Sequence, residues 1–328
     1  LRKVYGMKNK SLFVIGPHHY CHSTAALIEG LNKLGTMKVF SNANHNYCKH
    51  PVFNLDTQIK VAKMADYVLL AHSALEEKYK NKIQPLVDEV KDRVDIFLDG
   101  SDYFHYEDNP DKYKLYLKRE LDSTKLNGNH NNVKPFIFAA EDRHFTKSLN
   151  ASHYNLWQGK TDDLVCIMSA CEKRPWRFDI MKSLEDAFGH SDKVFIGEYR
   201  EGKQVTTIDT GERHHSGYFD KLLKANISID SYGCGEARQT GRFWESMANG
   251  CLVFYQPIEP YIWPHSYIDG EDFIVYNDLS ELVNKAKYYI DNPDKAKKIA
   301  DRGFTKLLRH HTTQQRASQY LSLIEEYL

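Results

Sequence analysis

Short apolar runs alternate with longer amphipathic segments along the first half of the chain. The apolar runs cover residues 11–15, 37–40, 67–71 and 94–98, and each has the length of a buried strand. Between them, segments such as 24–34 carry apolar side chains at helical spacing, and Gly35 stands where that segment ends. Repeated strand–helix–strand units of this length predict a parallel sheet with helices on both faces.

The same alternation restarts in the second half. Strands are predicted at residues 164–168, 193–196, 226–230, 251–255 and 273–275. Helices are predicted at 174–188, 218–224 and 241–249, and three more follow at 280–290, 293–308 and 312–327. We therefore expect an α/β fold with two Rossmann-like domains, residues 1–158 and 159–310, and a terminal helix over 311–328 that packs back across them.

The middle of the chain is less regular. Residues 111–121 would place Tyr113, Tyr116 and Leu117 on one face of a helix, so a helix is predicted there. Residues 142–159 lack strong periodicity, and the boundary between the domains is predicted near their end.

Composition narrows the class of protein. Of the 328 residues, 41% are hydrophobic and 27% charged, which is typical of globular domains. Lys plus Arg equals Asp plus Glu at 44 each, so bulk electrostatics give no support for a protein that coats nucleic acid. The cysteines are scattered without a Cys-x-x-Cys pair, and no apolar signal-peptide core follows the basic residues 1–10. We expect an intracellular, cytoplasmic protein with reduced thiols.

The segment 231–241 joins a predicted strand to a predicted helix and is rich in glycine. Such a turn lets the backbone approach a ligand, and the helix start offers N–H groups and a positive dipole end to a diphosphate. Arg238 and Arg242 match phosphate oxygens, and Glu245, one turn inside the helix, can accept hydrogen bonds from both hydroxyls of a ribose. The alternative is a surface loop with a solvated Arg–Glu pair.

The run Gly241-Arg-Phe-Trp-Glu-Ser-Met-Ala-Asn-Gly-Cys-Leu-Val-Phe resembles the nucleotide-sugar-binding segment of GT-B glycosyltransferases. It is most similar to the CgeB-like group, with the exostosin-like enzymes further off, and Arg242 and Glu245 match the Arg and Glu spacing of that group. Residues 269–276, 279–293 and 113–121 also resemble CgeB-like segments. The resemblance implies two Rossmann-like domains facing each other across a cleft, a sugar-nucleotide donor on the second domain and no obligatory metal.

One departure concerns stereochemistry. Many retaining GT-B enzymes carry two Glu residues separated by seven residues, and counting back from Glu245 that position is Ala237 in this sequence. Glu236 is one residue away, so it matches the retaining pattern only loosely. Retention and inversion at the anomeric carbon both stay open.

Two further loops follow strands and carry candidate chemistry. His18, His19 and His22 lie after the first strand, where an imidazole is a candidate general base for an acceptor hydroxyl. The alternatives are a metal site, which lacks a completing carboxylate or cysteine pair nearby, and a polar loop whose Ser23 caps the next helix.

The other loop, residues 169–177, places Lys173, Arg174 and Arg177 at a helix start. The helix dipole disfavours cations there, so a donor diphosphate nearby is expected, the alternative being solubilising surface charge. Asp102 follows the fourth strand, where it is expected to line the acceptor side of the cleft.

The candidate site residues fall into two groups. The catalytic candidates are His22, His19, Asp102 and Glu236. The donor-binding candidates are Arg242, Glu245, Gly241, Thr240, Arg238, Tyr232, Gly233, Lys173 and Arg177.

Together these features predict transfer of a sugar from a nucleoside diphosphate sugar, with UDP favoured, to a hydroxyl of a glycan, a small molecule or a modified macromolecule. No cofactor and no metal are expected. The alternatives are a phage-type DNA-base glycosyltransferase, in which nucleic acid enters as acceptor, a GT-B-like epimerase and a non-catalytic sugar-nucleotide-binding protein. The oligomeric state, the sugar and the acceptor stay open.

Overall fold

The computed structural model describes residues 7, 9–17, 22–42, 53–122, 124, 130–145, 156–157, 159–169, 172, 174–200, 203–204, 216–233 and 239–328. The chain divides into two compact units. Unit 1 comprises Leu1–Glu141, Pro260–Pro264 and His310–Leu328, and unit 2 comprises Asp142–Glu259 and His265–Arg309. Each unit contains a six-stranded sheet covered by helices, so the predicted α/β class is confirmed.

The elements are numbered here in chain order. The strands are β1 (Lys10–Ile15), β2 (Met37–Ser41), β3 (Tyr67–Ala71), β4 (Ile96–Asp99), β5 (Leu115–Lys118), β6 (Val133–Pro135), β7 (Asp162–Ser169), β8 (Val194–Arg200), β9 (Lys203–Gln204), β10 (Ala225–Ile229), β11 (Leu252–Tyr255) and β12 (Ile274–Val275). The helices are α1 (His22–Leu34), α2 (Leu55–Met64), α3 (Glu77–Val90), α4 (Trp176–Phe188), α5 (Ser216–Lys224), α6 (Gly241–Ala248), α7 (Leu279–Asp291), α8 (Pro293–His310) and α9 (Thr313–Tyr327). Among the described residues, no helix combines the length and apolar character that crossing a bilayer requires.

The sheet of unit 1 is parallel, in the order β2-β1-β3-β4-β5-β6. Successive side chains of a strand point to opposite faces, and in β1 both sets are buried. Leu12 and Val14 join a core that includes Tyr320 of α9, whereas Phe13 joins a second core that includes Ile83 of α3. Covering both faces explains why these strands read as continuous apolar runs in the sequence.

Unit 2 has the order β12-β11-β10-β7-β8-β9, with only the β8–β9 pair antiparallel among its described strands. On one face, Cys166 and Ile227 lie in a core with residues of α4, α7 and α8. On the other face, Val165 and Ile167 lie in a core with Leu222 of α5. Unit 2 is therefore a second doubly wound layer structure with its own core.

In each sheet the strand order changes direction next to the first strand of the unit. In unit 1, β1 lies between β2 and β3, and in unit 2, β7 lies between β8 and β10. Ligands of doubly wound sheets bind beyond the carboxyl ends of the strands at such a switch point. The topology therefore directs attention to the loops after β1 and β3 in unit 1, and after β7 and β10 in unit 2.

The helix predicted over residues 111–121 is wrong. Pro110–Lys112 form a single 3₁₀ turn, and Leu115–Lys118 form strand β5. All of β5 is buried, because it pairs with β4 on one side and β6 on the other. A charged residue at Lys118 is not expected in a central strand, and its pairing with Asp99 accounts for it.

The division between the units falls between Glu141 and Asp142, whereas the sequence pattern placed it near residue 158. Among the described residues between 142 and 158, His144 and Leu156 contact the rest of unit 2. The Asn249 side chain donates to the His144 carbonyl at 2.8 Å, and Leu156 packs so closely on Gly250 that a Cβ there would lie 2.7 Å from it. At the other end of the chain, α9 belongs to unit 1.

The packing of α9 on α1 predicts a strong effect at Gly30. A Cβ at this position would lie 2.0 Å from the Thr313 carbonyl oxygen and 2.8 Å from the Ala317 Cβ. We expect Gly30→Ala to lower the free energy of unfolding by about 1–3 kcal/mol through overpacking, against a helix-propensity gain of about 1 kcal/mol. Calorimetric unfolding measures the difference.

The matched control is Asn32→Ala, two residues along the same helix at an exposed position. It should leave the melting temperature unchanged or slightly raised, because alanine favours helix and touches nothing there. Equal melting temperatures for the two variants would contradict the tight α1–α9 contact.

Candidate functional site

Asp230 is the first residue after β10 and organises the carboxyl end of that strand. Its side chain is fully buried. Oδ1 accepts hydrogen bonds from Arg242 Nε and from the Ser231 backbone N–H, both at 2.8 Å, and Oδ2 accepts one from the Thr240 hydroxyl at 2.5 Å. Because a buried carboxylate is stable only when it is paired and hydrogen-bonded, these contacts fix the start of α6 beside the end of β10.

Arg242, the second residue of α6, brings a partly accessible cation to this strand end. Its Nε is occupied by Asp230, and its side chain is 19% exposed. Within the described part of the chain, its terminal guanidinium nitrogens donate no hydrogen bond. Burial lowers the pKa of Arg242, but the Asp230 carboxylate and its hydrogen bond outweigh burial and raise it above its ordinary value. The group is therefore a permanent cation with donors to spare for an anion.

Arg177 supports the same strand end from α4. It is buried, and it donates from Nε to Ser231 Oγ at 3.0 Å, from Nη1 to the Ser169 carbonyl at 2.9 Å and from Nη2 to the Tyr232 carbonyl. It thereby ties together the loops after β7 and β10, which meet at the switch point. In the structure its nitrogens donate to these loops. Direct binding of the sugar-nucleotide diphosphate by Arg177 stays a prediction.

Arg177 lies among other charges at this strand end. Burial lowers the pKa of Arg177 to about 9, and repulsion from Arg242 and Arg174 adds to this, with Asp230 opposing it. Both Asp230 and Glu245 attract Arg242. An anionic ligand at this strand end would relieve the repulsion that acts on Arg177.

The start of α6 adds backbone donors. Thr240 is the N-cap residue, but its side chain makes no capping hydrogen bond, because its hydroxyl donates to Asp230. Thr240 thus does not cap the N–H groups of the first turn, which begins at Gly241, and these N–H groups can serve an anion. Before this turn, Tyr232 is fixed by Gln256, whose Oε1 accepts from its N–H at 3.0 Å, and the half-buried Gly233 follows.

Glu245 lies one turn further along α6 and is 5% exposed. Its Oε2 accepts a hydrogen bond from the Tyr218 hydroxyl at 2.7 Å, and its Oε1 lies 3.8 Å from His144 Nε2. Burial, together with the Glu245 charge, raises the pKa of Tyr218 well above its ordinary value, so the hydroxyl stays a donor. The carboxylate is held in one orientation and keeps lone pairs for further hydroxyl donors.

In unit 1, His22 is the first residue of α1, directly after the loop that leaves β1 at the switch point. Its Nδ1 lies 3.4 Å from Glu141 Oε1, and its ring centroid lies 5.4 Å from that of Phe138. The His22 side chain is 19% exposed and that of Glu141 is 1% exposed. An accessible imidazole thus lies against a buried carboxylate.

Asp102, the other described catalytic candidate, belongs to the same neighbourhood. Its carboxylate pairs with the Arg119 guanidinium, which also donates to the Ser101 carbonyl at 2.9 Å. The Arg119 guanidinium carbon lies 4.8 Å from the Phe138 ring centroid. Phe138 therefore contacts both Arg119 and His22, and the structure brings the two candidates into one cluster. The catalytic role of Asp102 stays a prediction.

A buried ion pair underlies this cluster. Lys118 Nζ lies 2.9 Å from Asp99 Oδ2, and both side chains are 0% exposed. The Tyr116 hydroxyl donates to the same carboxylate oxygen at 2.6 Å, and Lys118 donates to Ser101 Oγ at 2.9 Å. The pair fixes the ends of β4 and β5, from which Ser101, Asp102 and Arg119 follow.

The remaining candidates lie outside the described residues. These are His19, Glu236, Arg238 and Lys173. Their roles stay predictions.

Sequence reasoning missed three side chains of these clusters. Asp230 stands at a predicted strand end, where its position alone was a signal. Tyr218 was seen only as part of a helix, and Glu141 follows an irregular segment that carries no periodic signal. Their partners are distant in the chain, so pairing of Tyr218 with Glu245 and of Glu141 with His22 required the fold.

The geometry can be compared with known proteins. Residues 194–322 match a family model described as "Glycosyl transferase-like". No curated protein matches the chain by sequence. The matched segment contains both Arg242 and Glu245.

Several solved structures share the fold over nearly the whole chain. An alpha-glucosyltransferase in complex with UDP-glucose and DNA containing an abasic site has a TM-score of 0.64 at 10% identity, covering 97% of this chain and 99% of that one. Anabaena HepE in complex with UDP has a TM-score of 0.59 at 10% identity, with 97% and 100% covered. A glycosyltransferase from Rickettsia africae has a TM-score of 0.60 at 12% identity, with 97% and 98% covered. At such low identity the likeness shows the fold, and it confirms the predicted GT-B fold.

Proposed function

We propose that this chain, which carries a glycosyl transferase-like domain over residues 194–322, transfers a sugar from a UDP-sugar to the hydroxyl of an acceptor. One observation carries the proposal: Arg242 is fixed through Nε by the buried Asp230 at a switch-point strand end, and among the described residues its terminal nitrogens have no hydrogen-bond acceptor. Structural relatives with UDP or UDP-glucose bound support UDP as the nucleotide.

The residues of unit 2 supply the donor side of the reaction. Arg242 and the N–H groups at the start of α6 neutralise the diphosphate, whose negative charge grows as the bond to the sugar breaks. Glu245, held by Tyr218, accepts hydrogen bonds from the ribose hydroxyls. The acceptor hydroxyl loses its proton to a base, its oxygen forms a bond to the anomeric carbon, the bond to the diphosphate breaks, and UDP leaves with the electron pair.

Within the glycosyltransferases, we assign the chain to the CgeB-like group on the spacing of Arg242 and Glu245. For the acceptor, a glycan or small-molecule hydroxyl is favoured over DNA. Lys plus Arg equals Asp plus Glu at 44 each, so the composition gives no electrostatic support for a DNA acceptor. Salt-sensitive binding of a DNA duplex would reverse this preference.

The test is a thermal-shift comparison of UDP, GDP, CDP, ADP and dTDP and their glucose conjugates. A ligand present at 100 times its Kd stabilises the native state by about 2.7 kcal/mol, which raises the melting temperature of a domain this size by about 5–10 °C. We expect UDP and UDP-glucose to give that rise. If no nucleotide shifts the transition, the donor site is wrongly assigned.

Release of UDP from UDP-glucose then separates the rival functions. A glycosyltransferase releases UDP slowly when water is the only acceptor and faster when a hydroxyl acceptor is present. A non-catalytic binding protein would show the thermal shift without UDP release, and an epimerase would convert the donor sugar without any acceptor.

Removal of metal ions provides a further prediction. Arg242 and the helix start are proposed to carry the diphosphate charge without a divalent cation. UDP release should therefore keep its rate, within about twofold, in millimolar EDTA, an order-of-magnitude expectation for a site in which guanidinium groups replace a metal clamp. Loss of activity in EDTA that Mg²⁺ or Mn²⁺ restores would contradict a metal-independent mechanism.

A further inference from the structure

The loop that follows β4, residues 100–109, presents two exposed aromatic rings. Tyr103 is 46% exposed, and the His105 side chain is 56% exposed. The two rings stack, with their centroids 5.2 Å apart and their planes inclined by 24°. A single exposed aromatic side chain is common and needs no explanation. Here one ring supports the other, so the Tyr103 ring is held in a defined orientation at the surface.

Both ends of this loop are fastened to the buried Asp99. The Ser101 backbone N–H donates to Asp99 Oδ1 at 3.1 Å. The Glu107 backbone N–H donates to the Tyr116 hydroxyl oxygen at 3.1 Å and to Asp99 Oδ2 at 3.3 Å. Lys118 neutralises Asp99 inside the sheet, so the anchors of the loop belong to the core of unit 1. A loop fixed in this way is preorganised, which lowers the entropy that is lost when a ligand binds.

The loop lies at the edge of the unit 1 sheet where ligands are expected. His72 is the first residue after β3, and its Nε2 lies 3.5 Å from Glu107 Oε2. A Cβ added at Gly100 would lie 3.3 Å from Ser23 Oγ, so the loop also lies against the start of α1. Doubly wound sheets bind ligands beyond the carboxyl ends of their strands, and this loop is in contact with the segments that follow β1 and β3 there.

Glu107 places a carboxylate beside the stacked rings. Its side chain is 21% exposed, and its Oε1 lies 3.4 Å from His105 Nε2. Among the described residues, its ion-pair partners are the imidazoles of His72 and His105. A carboxylate has about four lone-pair positions and no donor, so Glu107 can accept further hydrogen bonds from the hydroxyl groups of a ligand.

An aromatic face with a carboxylate beside it matches one class of ligand. A pyranose has a face of C–H groups, which packs on an aromatic ring, and an edge of hydroxyl groups, which donate to a carboxylate. A nucleic acid base also stacks on aromatic rings, but the Glu107 carboxylate repels the phosphates that accompany it. The combination therefore favours a sugar over a nucleotide.

We propose that Tyr103, supported by His105, binds a pyranose of the acceptor, which makes the acceptor a glycan or a glycoside. The inference rests on the proposed sugar transfer. Tyr103 supplies the stacking face. Glu107 accepts hydrogen bonds from the sugar, so it discriminates between sugars whose hydroxyl groups are arranged differently.

The experiment measures UDP release from UDP-glucose, or from whichever UDP-sugar stabilises the protein, with methyl glycosides as acceptors. The panel contains the methyl glycosides of glucose, galactose, mannose and N-acetylglucosamine. Ethanol and glycerol serve as acceptors that have hydroxyl groups but no pyranose ring. We expect at least one methyl glycoside to accelerate UDP release in a saturable manner, and neither alcohol to do so at the same concentration.

The first variant is Tyr103→Ala, which should raise the KM for that glycoside by about 10-fold or more, as truncation of an aromatic contact does. The kcat at saturating glycoside, the KM for the donor and UDP release to water should stay within about twofold, because the contact contributes to acceptor binding alone. Tyr103→Phe keeps the ring and should keep the acceptor KM within about threefold. Tyr103 is exposed, so both variants should melt close to the wild-type temperature.

Tyr288→Ala is the matched control. Tyr288 is 44% exposed, close to the exposure of Tyr103, and its ring also has an aromatic neighbour, Tyr289, at a centroid distance of 5.0 Å. It lies in the last turn of α7 in unit 2, at the opposite end of that helix from the strand that precedes it. This variant should keep the acceptor KM within about twofold, as surface substitutions away from a site normally do.

The outcomes separate the two claims. If the wild-type protein releases no UDP from any UDP-sugar, with or without an acceptor, the proposed function fails and the acceptor site falls with it. If the wild-type protein is active but Tyr103→Ala keeps the wild-type acceptor KM, or if no glycoside of the panel outperforms the alcohols, the sugar site is refuted while the transferase stands. Acceleration by a DNA oligonucleotide and by no glycoside, lost in Tyr103→Ala, would make the rings a base-stacking site and overturn the proposal.

Discussion

Replacing Arg242 with Gln should lower the rate of UDP-sugar turnover by about 10²–10³-fold and also destabilise unit 2. The diphosphate would lose its principal cation, and removal of one such preorganised group from a developing charge costs about 10²–10³-fold in kcat. The variant also leaves Asp230, a fully buried carboxylate, without the cation at 2.8 Å that neutralises it. Breaking a buried pair on one side costs about 3–5 kcal/mol, so calorimetry should show a melting temperature lower by about 10 °C.

The double variant Asp230→Asn/Arg242→Gln distinguishes loss of folding from loss of function. It removes both charges and keeps an amide oxygen that can accept from Thr240, so most of the lost stability should return. Binding of UDP, measured by calorimetric titration, should remain at least about 10²-fold weaker than in the wild-type protein. A stable double variant that binds UDP with native affinity would show that Arg242 only neutralises Asp230.

The second large effect is expected at Lys118 in unit 1. Lys118→Met removes the cation that lies 2.9 Å from Asp99 in the interior of the sheet, where both side chains are 0% exposed. The Tyr116 hydroxyl and backbone donors still reach Asp99, but they do not neutralise its charge. We expect the free energy of unfolding to fall by about 3–5 kcal/mol, measured by calorimetry.

Asp99→Asn combined with Lys118→Met is the control, because a neutral amide needs no cation. This double variant should recover more than half of the loss. If the single variant is as stable as the wild-type protein, the buried pair contributes nothing to the fold of unit 1.

The same pair predicts how stability depends on pH. Burial raises the pKa of Asp99, but attraction to Lys118 and the Tyr116, Lys118 and Ser101 hydrogen bonds outweigh it and hold the pKa below its ordinary value. A carboxyl whose pKa is lowered by folding stabilises the native state above its unfolded pKa of about 3.9. That contribution is lost as pH falls through the lowered value, so wild-type stability should drop steeply in acid while the Asp99→Asn/Lys118→Met variant shows a flatter profile.

Sequence reasoning recovered the elements whose burial pattern is regular. The three C-terminal helices, predicted at 280–290, 293–308 and 312–327, are α7, α8 and α9 with bounds shifted by a few residues. The turn between β10 and α6 was found because glycines, arginines and Glu245 coincide at a strand-to-helix junction. Local sequence patterns were therefore enough to predict the fold class and to propose the donor side of the candidate site.

The failures share a cause, which is that tertiary partners override local signals. Strand β5 was predicted as a helix. The local sequence gives no sign that Lys118 is buried in a strand, because the residue that neutralises it, Asp99, is distant in the chain. The contacts of Arg177 with Ser231 and Tyr232 could not be predicted, because these residues lie more than fifty positions away in the sequence. The sequence pattern placed the domain boundary later than the division between the units, because residues 142–159 have no periodicity and the contact of His144 with Asn249 of unit 2 is not visible in the sequence.

The return of α9 to unit 1 has a consequence for biosynthesis. Ala317, Tyr320, Leu321 and Ile324 of α9 are buried in the same core as β1 and α1. Domains usually fold in the order in which they leave the ribosome, but here the domain begun first cannot close its core until α9 has emerged, after all of unit 2. Until then the nascent chain carries an uncovered apolar sheet face, which makes it a natural client for chaperones during translation.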